Sequence, residues 1–420
     1  MRVLVVGNGG REHALAWKLA QSPLVEQVFA TRPNAGMAEF VEPVDLGPTD
    51  ILELVRLAKD RRIDLTVPGP EASLCAGIVD AFADEGLYAF GPTKACAEME
   101  ASKAFAKSIM ARMGVPTAEY RLFQEQKTAL EYVQTCSIPV VIKADGLAAG
   151  KGVRVCTERA HALETVAEFM GERIFGDAGS QLIVEECLQG RELSFIALVD
   201  GQDVLPLVSS QDHKRLLDGD EGPNTGGMGA FSPSPILDEA LMDRVMHEVM
   251  YPTIRSLAER GLRYRGFLYA GLMITEQGPL TLEFNVRLGD PETQPIMMRL
   301  KSDLAEVLMQ CRDGLKGVQL DWDPRPAVCL VAASEGYPQS PIKGRPITGL
   351  KSASQMENVQ IFHAGTRLQD GEVITSGGRV LGVTALGDSM LDARRRAYDA
   401  VEEIGFEGMH VRYDIAASEM

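Results

Sequence analysis

The chain has 420 residues, 45% hydrophobic and 24% charged, a length that calls for several domains instead of one core. Its 42 basic and 59 acidic residues leave a net charge of −17, which argues against non-specific nucleic-acid binding and attraction to an anionic membrane surface. Seven cysteines without a C-x-x-C pair fit reduced thiols in a cytosol, and no run approaches a membrane span or a signal peptide, so a cytoplasmic protein is expected.

In chain order, residues 2–6 read as a buried strand, and Gly7-Asn8-Gly9-Gly10 opens an amphipathic helix from about Arg11 to Gln21. Strand, glycine turn and helix begin a doubly wound α/β unit whose helix N-terminus suits an anion. A dinucleotide fingerprint needs a third glycine where Glu12 stands, and that carboxylate would repel a pyrophosphate. The turn is either purely structural or a site for one phosphate held by Gly9, Gly10 and Arg11. Strand 64–67, the loop Pro68-Gly69-Pro70-Glu71, a helix to about Glu85 and strand 87–90 continue the pattern. One long helix over about 93–113 carries Ser102-Lys103 and stops at Gly114-Val115-Pro116.

The apolar run Val140–Ile142 ends in Lys143, and a loop with Gly146, Gly150, Lys151 and Gly152 leads into Val153-Arg154-Val155. The alternation predicts two strands joined as a hairpin. Glycine N–H groups approach anions closely, and two ammonium groups add attraction for a polyphosphate. The loop is not a Walker loop, because three residues separate Gly146 from Gly150 and Gly152 stands where a hydroxyl is required. Strand 182–188 then runs through Gln189-Gly190 into strand 193–199. Glu192, beyond that turn, is placed to accept from ribose hydroxyls or is one of the solvated acids of a hairpin.

Asp212-His213-Lys214-Arg215 is polar, and the segment Gly222–Gly229 holds four glycines in eight residues, the composition of a backbone that closely approaches a ligand. In Thr281–Asn285 the period of two puts Leu282 and Phe284 on one face, and Glu283 and Asn285 on the other, roughly 6–7 Å apart. Two oxygen donors on one face suit Mg²⁺, completed by phosphate oxygens and water. Arg287 follows at once, placed to steady charge on a transferring phosphoryl group. A new apolar strand from Ala327 and a helix at about 389–403 read as a small α+β domain with no chemistry confined to it.

Together these segments resemble the glycinamide ribonucleotide synthetases (phosphoribosylamine–glycine ligases), ATP-grasp enzymes of purine synthesis. The likeness rests on G-N-G-G-R-E-H-A at 7–14, G-P-E at 69–71, S-K at 102–103 and K-A-D-G-L-A-A-G-K-G-V at 143–153. Q-D-H-K-R at 211–215, G-P-N-T-G-G-M-G at 222–229 and L-E-F-N-V-R-L-G-D-P-E-T-Q at 282–294 complete it. The resemblance implies a mixed α/β chain in several parts: a pre-ATP-grasp domain over 1–101, an ATP-grasp domain over 102–326 with a lid at about 117–190, and a C-terminal α+β domain over 327–420. It implies ATP held by Lys103, Lys143 and the loop Gly150, Lys151 and Gly152. Glu185, Glu186, Cys187 and Leu188 would meet adenine and Glu192 the ribose. Glu283 and Asn285 match the family's Mg²⁺ (or Mn²⁺) ligands, and Arg287, Lys143, Asp212 and Lys214 would be catalytic. Glycine and 5-phosphoribosylamine would lie against Gly9, Gly10, Arg11 and Glu12, against Glu71, and against Asn224, Thr225, Gly226, Gly227 and Met228, with Asp290, Pro291 and Glu292 beside them. It further implies a monomer or weak homodimer whose partners are small molecules. The rival within enzymes is another ATP-grasp carboxylate–amine ligase.

Overall fold

The computed structural model describes residues 1–148 and 151–417. Arg2–Val6 pairs in parallel with Gln27–Thr31 and with Leu65–Pro68, and Glu42–Val44 completes a four-stranded sheet. Val3 to Val6 are fully buried, which is why this strand reads as a continuous apolar run without alternation. The helix Gly10–Ala20 follows the glycine turn as expected. Residues 87–90 supply only a bridge from Ala89 to Thr66 instead of a full strand. The helix expected up to Glu85 breaks at Gly77, whose φ of +91° ends Glu71–Cys75 and starts Ile78–Asp84.

The helix expected over 93–113 is two helices, Lys94–Ala101 and Lys103–Met113. Ser102 between them is extended, with φ −130° and ψ 115°. Its hydroxyl accepts from the Phe105 N–H at 3.0 Å and donates to the Asp145 carboxylate at 3.1 Å, which also accepts from the Ala104 N–H at 3.0 Å. A serine and a carboxylate that satisfy the first amides of a helix outcompete continuation of the preceding one. Lys103 is thereby set at the first turn of a helix.

Two antiparallel sheets face the interior. The smaller runs in the order 120–123, 182–186, 140–144, 153–156, with the predicted hairpin pairing Val140 to Cys156 and Lys143 to Val153. The central sheet runs 203–206, 191–200, 265–275, 278–285. Leu182–Glu186 and Arg191–Asp200 therefore belong to different sheets, and residues 187–190 are a crossing instead of a hairpin turn. A bulge interrupts the pairing of the last two central strands: Gly271 opposes Glu283 and Leu272 opposes Thr281, so Leu282 is the extra residue.

The C-terminal sheet has the order 211–212, 229–232, 327–333, 379–386, 359–363. Its first two strands come from the chain before Ala327, so this sheet stitches the C-terminal segment to the middle of the chain. Helix Met390–Glu402 packs Ala393, Ala397, Ala400 and Val401 onto it, and the Ser389 hydroxyl caps its start. Among the described residues no helix is long and apolar enough to cross a membrane.

The N-terminal helix meets the C-terminal sheet at His13, which is 2% exposed and packs against Phe40, Phe362 and His363. Its Nδ1 accepts the His363 N–H at 2.9 Å. Burial, reinforced by the neighbouring His363, pushes the His13 pKa down to about 3, and burial pushes that of His363 down to about 4. Below the ordinary value near 6.5 the unfolded chain takes up protons that the folded chain refuses, so stability falls as pH drops from about 6.5 toward 4. The expected loss between pH 7 and pH 5 is on the order of 2 kcal/mol per histidine, read from urea unfolding midpoints. His13→Gln should make the fall shallower, and an unchanged slope would show that the pair does not set it.

Candidate active site

The small sheet, the central sheet and the helices Lys94–Ala101 and Lys103–Met113 enclose a cleft of about 460 Å³. At one end the strand Val140–Ala144 delivers Lys143, whose Nζ donates to the Leu282 carbonyl at 3.0 Å and to Glu185 Oε2 at 2.8 Å. The bulge explains the first contact, since the extra residue of a bulge is left out of the ladder. Glu185, 3% exposed, also meets Lys107 at 3.0 Å, and Lys107 donates to the Thr117 hydroxyl at 2.7 Å. Lys103 Nζ donates to the Gly146 carbonyl at 3.1 Å. Burial pushes the pKa values of Lys103 and Lys107 down despite Glu283 and Glu185 nearby. Two ammonium groups on one carboxylate, with a third close by, leave positive charge for an anion.

Gly152 lines the cleft against the Ala148 methyl, whereas Lys151 is exposed and does not line it. Gly150 lies outside the described residues. The crossing 187–190 brings Glu186, Cys187 and Leu188 to the cleft wall. Gly190 permits it, because a Cβ there would sit 2.2 Å from the Ile274 carbonyl oxygen. Glu192, on the cleft wall, accepts from Lys214 at 2.8 Å.

Glu283, Asn285 and Arg287 line the same cleft. Burial works to raise the Glu283 pKa, but Lys214, Lys143, Lys103 and Arg287 together hold it below the usual carboxylate range. Arg287 donates to Glu100 at 2.7 Å and to Asn285 Oδ1 at 3.0 Å, with Nε 3.4 Å from Glu71. Although burial opposes it, Glu100 and Glu71 keep this guanidinium charged. Among the described residues no group of three or more His, Cys, Asp or Glu side chains stands ready for a metal. Glu283 and Asn285 supply one anionic and one amide oxygen, a fit for a hard cation that draws its remaining ligands from phosphate and water.

Asp212 lies beside Glu292, Glu192 and Glu283. Burial, aided by these carboxylates and only partly offset by Lys214, pushes its pKa up to about 8. Lys214 is held charged against burial by Asp212, once that carboxylate is ionised, and by Glu192. Glu292, 3% exposed, accepts from the Tyr269 hydroxyl at 2.6 Å.

The cleft is also walled by Arg11, Glu71, Asn224, Thr225, Gly226, Asp290 and Glu292. The expected phosphate turn is built differently. The Gly9 N–H donates at 2.7 Å to Glu12, which also accepts from Arg11 at 2.6 Å, and a Cβ on Gly10 would strike Gln294. Glu12 thus turns back onto the Gly9 N–H at the helix start, and of that turn Arg11 lines the cleft. Gly227 packs on Pro291, and Met228 is fully buried behind the wall. Glu100, Lys107, Tyr269 and Arg379 line the cleft without having been predicted. Lys107, one helical turn after Lys103, carried a signal in its spacing, whereas Arg379 carried none.

Models of the phosphoribosylglycinamide synthetase family match three stretches of the chain: the N domain over residues 1–100, the ATP-grasp (A) domain over 101–293 and the C domain over 327–418. Proteins named phosphoribosylamine–glycine ligase from Rhodopirellula baltica and Allochromatium vinosum are 50% and 53% identical, each over 99% of this chain and 97% and 98% of their own length. The crystal structure of the ligase of that name from Thermotoga maritima is 34% identical with a TM-score of 0.83, covering 99% of this chain and all of that one. A biotin carboxylase complex from Campylobacter jejuni shares the fold at 14% identity, with a TM-score of 0.75 over 98% of this chain and 92% of its own.

The buried triad gives a direct expectation. Glu185→Gln leaves Lys107 and Lys143 facing each other without a counter-charge, and breaking such a pair costs about 3 kcal/mol. Urea unfolding at neutral pH measures it, and an unchanged midpoint would mean that these lysines do not depend on Glu185.

Proposed function

The chain belongs to the phosphoribosylglycinamide synthetase family, and from that premise we propose how this cleft performs the family's reaction. The reaction is the ATP-dependent ligation of glycine to 5-phosphoribosylamine in purine biosynthesis, giving glycinamide ribonucleotide, ADP and phosphate through glycyl phosphate. The observation that carries the assignment of roles is that Lys103, Lys143, Glu283, Asn285 and Arg287 line one cleft.

A carboxylate is a poor acyl donor, so glycine must first be activated. One glycine carboxylate oxygen attacks the γ-phosphorus, the bond to the β-bridging oxygen breaks, and ADP leaves. Lys103 and Lys143 hold the phosphates, and Arg287 steadies charge on the transferring group. Mg²⁺, held by Glu283 and Asn285, would screen the phosphate oxygens from each other and from the incoming carboxylate. The phosphoribosylamine nitrogen then attacks the glycyl carbonyl carbon, the carbon–oxygen bond to phosphate breaks, and the amine loses a proton. Asp212, titrating near pH 8, is the group we assign to receive it. In this reading the adenine lies against residues 185–188, and the ribose against Glu192. The acyl phosphate would form between walls built from both sheets, where it must be kept from water.

In this reading the chain works as a monomer or weak homodimer on small-molecule substrates. Seven free cysteines support a cytoplasmic setting, and the net charge of −17 argues against nucleic acid or membrane as a partner.

ADP release should require glycine and phosphoribosylamine together, and release with another amino acid at equal efficiency would defeat the substrate assignment. Glu283→Ala should lower kcat by about a hundredfold or more with an unchanged unfolding midpoint; full turnover at saturating Mg²⁺ would remove Glu283 from the metal site. Because the ionised form of Asp212 is needed, kcat should rise with pH up to about 8 and level off above it. Asp212→Asn should flatten that profile and lower kcat by about a hundredfold or more.

A further inference from the structure

The C-terminal segment fastens one loop of the cleft from both sides. The guanidinium of Arg379 donates at 2.5 Å to the Gly226 carbonyl and at 2.5 Å to the Asp290 carbonyl, and pairs with Asp290 Oδ2 at 3.0 Å. The Gly226 N–H donates at 2.9 Å to the Tyr337 hydroxyl. Both backbone groups of Gly226 are thus committed to residues more than a hundred positions later in the chain. The fit is close: a Cβ on Gly226 would lie 3.0 Å from the guanidinium carbon, and one on Gly378 would lie 2.3 Å from the Tyr337 ring. Asp290 is fixed at its other oxygen by Gln294 at 2.8 Å.

Asn224, Thr225, Gly226 and Asp290 form part of the cleft wall and Arg379 lines it with them; on the ligase reading this is the wall assigned to the acceptor. Arg379 meets three acceptors at once, two carbonyls and a carboxylate, which a planar fork can do and a single ammonium cannot. A glycine-rich loop released from such a clamp regains conformational freedom that binding must then remove.

We infer that Arg379, assisted by Tyr337, is a positioning residue for the phosphoribosylamine: it holds Gly226 and Asp290 in the shape that accepts the amine and leaves nucleotide binding to the other end of the cleft. The inference rests on the ligase reading and gives the C-terminal segment a part in acceptor recognition. A staple that served only overall stability would disturb all three substrates alike or none.

The test is steady-state kinetics of Arg379→Lys and Arg379→Gln with ATP, glycine and phosphoribosylamine varied in turn, alongside direct titration of ATP and unfolding midpoints. The expected result is a KM for phosphoribosylamine raised about tenfold or more, the size expected from losing charge-assisted hydrogen bonds, with ATP affinity within about twofold of the parent. Lysine should rescue little of the loss. Tyr337→Phe removes only the acceptor for the Gly226 N–H, so it should shift the same constant by a smaller factor, and it carries the test if the arginine variants unfold. Equal shifts for ATP and amine, or no shift for the amine, would overturn the inference while leaving the ligase reading standing. A parent protein that forms no glycinamide ribonucleotide would overturn both.

Discussion

The site depends on carboxylates that keep cations charged away from water. An ammonium or guanidinium group removed from solvent costs several kcal/mol unless an anion meets it closely. Here Glu185 meets Lys107 and Lys143, Glu192 meets Lys214, and Glu71 with Glu100 meets Arg287. The balance is deliberately incomplete at the lysine end, where burial already pulls Lys103 and Lys107 toward their neutral forms. On the proposed reading a triphosphate entering there would supply the missing negative charge.

Several irregularities of the fold serve that arrangement. The extended Ser102 starts a fresh helix at Lys103, the bulge at Leu282 leaves a carbonyl outside the ladder for Lys143, and Gly190 lets the chain cross from one sheet to the other at the cleft wall. Each sits where local regularity would misplace a functional group. The C-terminal sheet adds the same kind of constraint over a longer range, because its first strands come from the middle of the chain and bring Arg379 to Gly226.

Much of this was readable from residue order alone. The buried strand at 2–6 and the hairpin around the glycine loop follow from apolar runs and alternation, and Glu283, Asn285 and Arg287 follow from their spacing on one strand and its exit. Glu12, read as incompatible with a pyrophosphate, accepts the Gly9 N–H at the helix start. Of that turn Arg11 lines the cleft, while the Glu12 carboxylate turns back to the Gly9 N–H. The break at Ser102 was invisible locally, since the carboxylate that stabilises it is Asp145, 43 positions away. Arg379 was beyond sequence reasoning for the same cause: a lone arginine at the start of a strand has no pattern, and its partners lie 89 and 153 positions earlier.

The central claim is that the lysines of the small sheet and its neighbouring helix act on the same triphosphate as Glu283 and Asn285 of the central sheet. A crystal structure with a non-hydrolysable ATP analogue and Mg²⁺ tests it most directly. The account predicts phosphate oxygens within hydrogen-bond distance of Lys103 and Lys143, and a cation on Glu283 and Asn285 that bridges to the terminal phosphates. A triphosphate bound in the cleft with the cation and those two side chains directed elsewhere would contradict it.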